Sequence, residues 1–186
     1  LPAMQYRVFP KIPELPISSL SLGAMRLPVL AGDEARIDPG ALDGILRAAF
    51  EAGINYLDTA YVYHGEKSEE EVGRSLDRTG LRGKFLLATK SPTWLVKAES
   101  DWERFLSAQL ERLGTERIDF YLLHALTTAR WEKVLRLGGL EFLRKAKADG
   151  RIGHIGFSFH DSLEVFKKIV DGWEDWEFCQ VQYNYL

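Results

Sequence analysis

The chain holds a single cysteine, Cys179, among 186 residues. An intrachain disulfide is therefore excluded, as is any cysteine-rich zinc or iron–sulfur site within this chain. Such sparing use fits a reducing compartment, so a cytoplasmic location is expected. Cys179 lies inside an apolar run and is expected in the core. Excess charge of one sign is also lacking. The net charge is −3, which gives no pull toward nucleic acid. No apolar stretch approaches the length of a membrane span, and the first residues show no charged segment followed by an apolar one. Neither a membrane partner nor a secretory leader is expected. No zinc-ligand spacing, P-loop or Ser-His-Asp arrangement occurs.

What is present reads as an ordinary globular chain, 46% hydrophobic and 27% charged, with the length of one domain over residues 1–186. Met4–Phe9 and Leu15–Leu20 are short β-like pieces around Pro10 and Pro13, and an N-terminal hairpin is expected there. Ser21–Met25 reads as a first buried strand. Helical periodicity runs from Ala41 to Ala52, with Leu42, Ile45, Leu46, Ala49 and Phe50 on one face. Strand and helix then alternate. Strands are expected at Ile54–Leu57, Phe85–Thr89, Ile118–Leu123, Ile152–Phe157 and Phe178–Gln182. Helices are expected at Ser68–Leu76, Ser100–Leu113, Trp131–Ala148 with a break near Gly138-Gly139, and Ser162–Val170. Ser68 with Glu71, and Ser100 with Glu103, have the spacing of capping boxes. Arg144, Lys145 and Lys147 fall in the last turn of a helix, where cations complement its dipole.

The strands are apolar throughout rather than alternating, as in sheets covered on both faces. A polar residue punctuates the end of each: Asp58, Lys90, His124, Ser158, then Gln180 and Asn184. That recurrence points to a parallel barrel, whose C-terminal strand ends converge on one mouth. Six barrel-type strands fall short of eight, and a complete barrel needs about 250 residues. The chain is then the N-terminal part of a barrel, or it closes by association with another copy as a homo-oligomer. An open doubly wound sheet is a third option, but no Gly-x-Gly-x-x-Gly turn follows the first strand.

The strand-end residues admit both plain and chemical readings. Asp58 could cap the following loop, and Lys90 could be an ordinary exposed lysine. Tyr63 could be a surface aromatic, with Tyr61 as a rival. His124 could be a satisfied, half-buried histidine. Read together, they suit reduction of a carbonyl. That reaction needs a proton donor within reach of the carbonyl oxygen and stabilisation of the developing alkoxide. A phenol is a poor acid at neutral pH, and an adjacent ammonium favours its ionised form. Lys90 could supply that ammonium, held by Asp58, while His124 orients the carbonyl.

Several motifs in order carry a resemblance: Gly23-Ala24-Met25-Arg26-Leu27-Pro28, Ala52 to Ala60 with Asp58-Thr59-Ala60-Tyr61-Val62-Tyr63, Ser68-Glu69-Glu70-Glu71-Val72-Gly73, Tyr121-Leu122-Leu123-His124, Ile155-Gly156-Phe157-Ser158 and Gln180-Val181-Gln182-Tyr183-Asn184. From Met4 to Leu186 the chain resembles the aldo-keto reductase family. The wording Met-Arg-Leu-Pro and Phe-Ser-Phe-His is most similar to the branch with a C-terminal iron–sulfur module. The resemblance implies a (β/α)8 TIM barrel, here with about six of eight strands and an N-terminal β-hairpin. It implies an NAD(P)H-dependent oxidoreductase acting on a small carbonyl or alcohol. NADP(H) is the family default, and NAD(H) is not excluded. It makes Tyr63 the general acid/base, Lys90 its tuner, Asp58 the partner of Lys90 and His124 the orienting group. Gly23, Ala24, Met25, Asp58, Ser158 and Gln180 fall at cofactor-binding positions. Phe159 stands where many members carry an asparagine, which puts one amide contact in doubt. Arg26, His64 and Trp94 are candidate substrate walls, with Leu126 and Phe159. The alternative is a cofactor-binding regulatory protein on the same scaffold, without useful turnover. A lyase with Lys90 as a Schiff-base lysine is disfavoured by Asp58, which keeps that lysine charged.

Overall fold

A computed structural model describes residues 3–183. The chain opens with an antiparallel hairpin of β1 (Tyr6–Phe9) and β2 (Ile12–Ser18). There follow β3 (Leu22–Gly23), α1 (Pro39–Glu51), β4 (Tyr56–Asp58), α2 (Tyr63–Glu66), α3 (Ser68–Thr79), β5 (Leu86–Ser91) and α4 (Ser100–Leu113). The second half holds β6 (Ile118–Leu126), α5 (Thr128–Arg136), α6 (Gly139–Ala148), β7 (Ile152–Phe159), α7 (Leu163–Asp171) and β8 (Phe178–Val181). Strands β3 to β8 form one parallel sheet in sequence order, curled into part of an eight-stranded barrel. Its architecture is the expected alternation, with six barrel strands among the described residues.

The central strands β4 to β7 bury both faces, which explains their missing alternation. One set of strand residues, among them Leu87, Tyr121, Leu123, Ile155 and Phe157, packs against the helices through Leu42, Leu76, Phe105, Trp131 and Leu143. Intervening residues Ala88, Phe120, Leu122 and Phe178 form a second cluster with Ile12. Phe9, Leu15 and Ile17 of the hairpin, with Tyr56 and Leu86, seal that cluster. The hairpin therefore plugs the inner face at the N-terminal ends of the strands. Side chains two residues apart share a face. One step further along that inner face lie Asp58 after Tyr56, Lys90 after Ala88 and His124 after Leu122. Ser158 after Gly156 and Gln180 after Phe178 complete the row. The inner face thus has an apolar lower layer and a polar upper one.

Several local expectations are corrected. The polar residues Lys90, His124 and Ser158 lie inside β5, β6 and β7, which run two or three residues further than the apolar pattern. Neither proposed capping box forms. Ser68 is already helical, with Lys67 at the N-cap and no side-chain cap; its hydroxyl is drawn instead to Ala24 O (3.0 Å) and Thr59 Oγ1 (2.8 Å). Ser100 follows an uncapping Glu99, and Asp101 accepts from the Lys97 and Ala98 N–H groups in its place. Cys179 is exposed rather than core. It points away from the inner cluster on β8, the last strand of the sheet, whose outer face no following helix covers among the described residues. The fourth expected helix breaks at left-handed Gly138 (φ 65°), as anticipated, into α5 and α6. Asn184 lies outside the described residues.

Helix α3 approaches α4 at Gly73, where an added Cβ would stand 2.7 Å from Leu113 O and 2.8 Å from Arg112 O. Both are backbone atoms and cannot swing aside. Gly73→Ala is expected to destabilise by about 1–3 kcal/mol through overpacking, although alanine is the better helix former. Urea denaturation should show a lower midpoint; an unchanged or raised midpoint contradicts this packing.

Candidate active site

The upper inner layer is built around Lys90, which is only 2% exposed. Its Nζ lies 2.8 and 2.7 Å from the two carboxylate oxygens of Asp58 and 2.8 Å from Thr59 O. Three ammonium protons meet three acceptors, so the buried charge is satisfied. The Tyr63 hydroxyl stands 3.3 Å from the same nitrogen. Register explains the meeting. Asp58 pairs with Ala88 on β5, and Lys90 lies one same-face step beyond. Tyr63 arrives from the loop after β4, at the start of α2. The rival Tyr61 is buried elsewhere, edge-on to Phe105 at 5.0 Å and beneath the Arg112 guanidinium at 4.0 Å.

His124 faces this group from β6. Its ring centroid lies 5.9 Å from that of Tyr63, edge to face, and 5.1 Å from that of Trp94. Its Nδ1 is buried without a hydrogen-bond partner. Burial, then the positive charges of Lys90 and Arg130, pushes the imidazole down to about 3, so the ring is neutral at neutral pH. Trp94 sits in a single helical turn after β5, with the Arg130 guanidinium 4.8 Å over its ring.

A cavity of about 570 Å³ opens above these residues, lined in part by Met25, Arg26, Tyr63, His64 and His124. Arg26 and Met25 are exposed there. His64 is different. It is buried, and both ring nitrogens are taken: Nδ1–H donates to Glu34 O (2.8 Å) and Nε2 accepts from Leu27 N–H (2.9 Å). These bonds tie the loop after β3 to the turn that carries Tyr63, and they offset the left-handed backbone of His64 (φ 53°). His64 therefore acts as a strut in this structure.

The expected cofactor residues fall into two groups. Ser158 and Gln180 are register partners on β7 and β8, side by side on the inner face. Gln180 is exposed; Ser158 is buried, and its Oγ accepts from Ala125 N–H at 2.8 Å. Gly23 pairs with Asp58 at the end of β3, and nothing lies within 4 Å of where its Cβ would be. Ala24 is fully buried, and its peptide groups are committed within the protein: its N–H donates to Asp58 O (2.7 Å) and its C=O accepts from Ser68.

A second polar group supports Lys90 from outside the sheet, and sequence reading missed it. Glu69 of α3 is fully buried. Its carboxylate accepts from Thr89 Oγ1 (2.5 Å) and Gln109 Nε2 (2.6 Å), and it faces Arg112 at 3.4 Å. Gln109 Nε2 also donates to Lys90 O at 3.1 Å, and Gln109 Oε1 accepts from the Tyr121 hydroxyl at 2.8 Å. Burial raises the Glu69 carboxyl above its ordinary range. The signal was there in Gln109, a polar residue on the apolar stripe Trp102, Phe105, Leu106 and Leu113 of α4.

The model of the aldo/keto reductase family matches residues 19–186. A methylglyoxal reductase from Escherichia coli is 34% identical over 120 residues, covering 64% of this chain and 39% of that protein. A 9,11-endoperoxide prostaglandin H2 reductase from Trypanosoma cruzi is 32% identical over 149 residues, covering 77% and 50% respectively. The chain thus spans half or less of the length of these relatives. Among solved structures, the holo form of an aldo-keto reductase from Bacillus halodurans superposes with a TM-score of 0.77 at 26% identity, over 97% of this chain and 58% of that one. An aldo-keto reductase from Klebsiella pneumoniae in complex with NADPH gives 0.74 at 25% identity, over 97% and 59%. The chain belongs to the aldo/keto reductase family.

Proposed function

We propose that the protein is a nicotinamide-dependent oxidoreductase that reduces aldehydes or ketones to alcohols, with Tyr63 as the general acid. The observation that carries this reading is the Tyr63 hydroxyl 3.3 Å from a buried ammonium that is itself held by both oxygens of Asp58. The ammonium stabilises the phenolate left after proton donation.

The residues present fit a nicotinamide cofactor. Ser158 Oγ accepts from Ala125 N–H, which leaves its own proton for a carboxamide oxygen. Gln180 presents an exposed amide beside it, and the space next to Gly23 is open. NADP(H) is preferred because similar structures include a Klebsiella pneumoniae aldo-keto reductase in complex with NADP and acetate, and one with NADPH. When bound, the cofactor supplies the hydride. The chain does the rest. Tyr63 gives its hydroxyl proton to the carbonyl oxygen. Lys90, fixed by Asp58 and Thr59 O, stabilises the negative charge that then resides on Tyr63. His124, being neutral, offers a hydrogen bond that orients the carbonyl without competing for the proton. Trp94 and Arg26 bound the substrate space. A small carbonyl suits the site, and the similar methylglyoxal reductase acts on one.

Tyr63→Phe in the full-length protein should lower kcat/KM for an aldehyde by about a hundredfold or more, the scale of lost general acid catalysis, while NADPH affinity measured by fluorescence titration stays unchanged. Wild-type turnover by the variant would remove Tyr63 from the mechanism. His124 should show no ring titration by NMR between about pH 5 and 8, the interval in which an ordinary histidine charges. The unfolded chain takes up that proton near 6.5 and the folded chain near 3. The unfolded state then binds more protons between those values, so stability is intact above about pH 6.5 and falls as pH drops toward 3. His124→Gln should flatten that acid limb in denaturation experiments; an unchanged slope contradicts the assignment.

A further inference from the structure

His124 does not lie on regular strand. Pairing between β6 and β7 runs from Leu123↔Phe157 directly to Leu126↔Phe159, so β6 spends three residues where β7 spends two. The extra residue makes a bulge, a device that re-aims a side chain. Ala125, next to His124, takes up the turn with a left-handed backbone at φ 51°. A residue with a Cβ adopts that conformation only where its surroundings hold it.

Two side chains hold it here. Ser158 Oγ accepts from Ala125 N–H at 2.8 Å, and Arg130 Nη1 donates to Ala125 O at 2.6 Å. Arg130 is an unexpected residue at its position. It lies in the first turn of α5, whose N-cap is Thr127 and whose first turn contains no acidic side chain. A cation there opposes the helix dipole, so helix stability does not account for it. The same guanidinium covers the Trp94 ring at 4.8 Å, and Trp94 in turn packs at 5.1 Å from the His124 ring. His124 Nδ1 has no partner of its own to fix the imidazole. Its orientation is left to the backbone beneath it and the Trp94 and Tyr63 rings beside it, and Arg130 touches the backbone and Trp94.

We propose that Arg130 is a positioning residue for His124: it pins the Ala125 bulge through the carbonyl and the Trp94 wall through its face, and so sets where the imidazole points. The catalytic half of this inference rests on the reading of His124 as the group that orients the substrate carbonyl. Arginine is suited to the task because its planar group stacks and donates at once, which a lysine ammonium cannot do. The other titratable groups facing the imidazole are Lys90, already paired with Asp58, and His160.

The test is Arg130→Met in the full-length protein, read in two ways. Two-dimensional NMR of the imidazole of His124 and the indole of Trp94 should show both rings shifted, with the imidazole now charging at higher pH. Aldehyde reduction should lose about tenfold to hundredfold in kcat/KM, the scale of a group displaced by about an ångström, with NADPH affinity unchanged. Adding Ala125→Gly, which adopts the left-handed conformation unaided, should recover part of both. Arg130→Lys covers the case in which the methionine variant fails to fold, and should move the same ring signals in the same sense but less. Ring signals identical to wild type in a folded variant would overturn the proposal. The NMR readout does not depend on turnover. Shifted rings in a protein whose wild type reduces no carbonyl would uphold the positioning and instead refute the reductase reading.

Discussion

A buried ion pair, Asp58 with Lys90, is the constraint around which the upper half of the sheet is arranged. Taking an ammonium and a carboxylate out of water costs several kcal/mol per ion unless geometry repays it. Here both carboxylate oxygens and the carbonyl of Thr59 surround Nζ within 2.8 Å. Removing one partner of such a pair typically costs about 3–5 kcal/mol, so the strands that carry it have little freedom to slip. Register then places the remaining groups. Once Asp58 opposes Ala88, Lys90 must stand above it, and Tyr63 on the loop after β4 meets its free side.

The pair also divides the sheet interior. Below it, Ala88, Phe120, Leu122 and Phe178 are sealed by the hairpin, so water is excluded from beneath the charge. Above it the cavity opens toward solvent. Outside the sheet, Glu69, Thr89 and Gln109 hold the main chain of Lys90 itself. Strain gathers at the same level. The non-glycine residues in left-handed conformations include His64 and Glu66, just after Tyr63, and Ala125, just after His124. Backbone strain of this kind costs of the order of 1–3 kcal/mol per residue and persists where surrounding contacts over-determine it. The two hydrogen bonds of His64 and the clamp on Ala125 are such contacts.

The sequence was most legible where hydrophobic pattern and backbone period agree. Helix α4 spans Ser100–Leu113 and β7 begins at Ile152, both as expected. Asp58, Lys90 and His124 were legible as polar residues that close apolar strands, whereas Tyr63, beyond the end of β4, was singled out from Tyr61 by the family motif alone. What could not be read were properties of contacts between distant segments. Ser68 has the sequence of a capping box, but a buried partner at Thr59 competes for its hydroxyl. His64 was read as a pocket wall, and it does line the cavity, but nothing local shows that Glu34 and Leu27 will take both of its ring nitrogens. Cys179 looked like core because apolar neighbours do not reveal that β8 lacks a covering helix among the described residues. Arg130 left one local trace, a cation in the first turn of a helix, and only the bulge at Ala125 gives that trace a meaning.

The central claim is that Asp58 and Lys90 act on Tyr63 as one unit. A double-mutant cycle in kcat/KM for aldehyde reduction, with Asp58→Asn, Lys90→Met and both together, tests it most directly. Residues that act as a unit are strongly non-additive. The double variant is expected to be no slower than the slower of the two single variants. Losses that multiply, with each substitution costing its full factor in the presence of the other, would contradict the account.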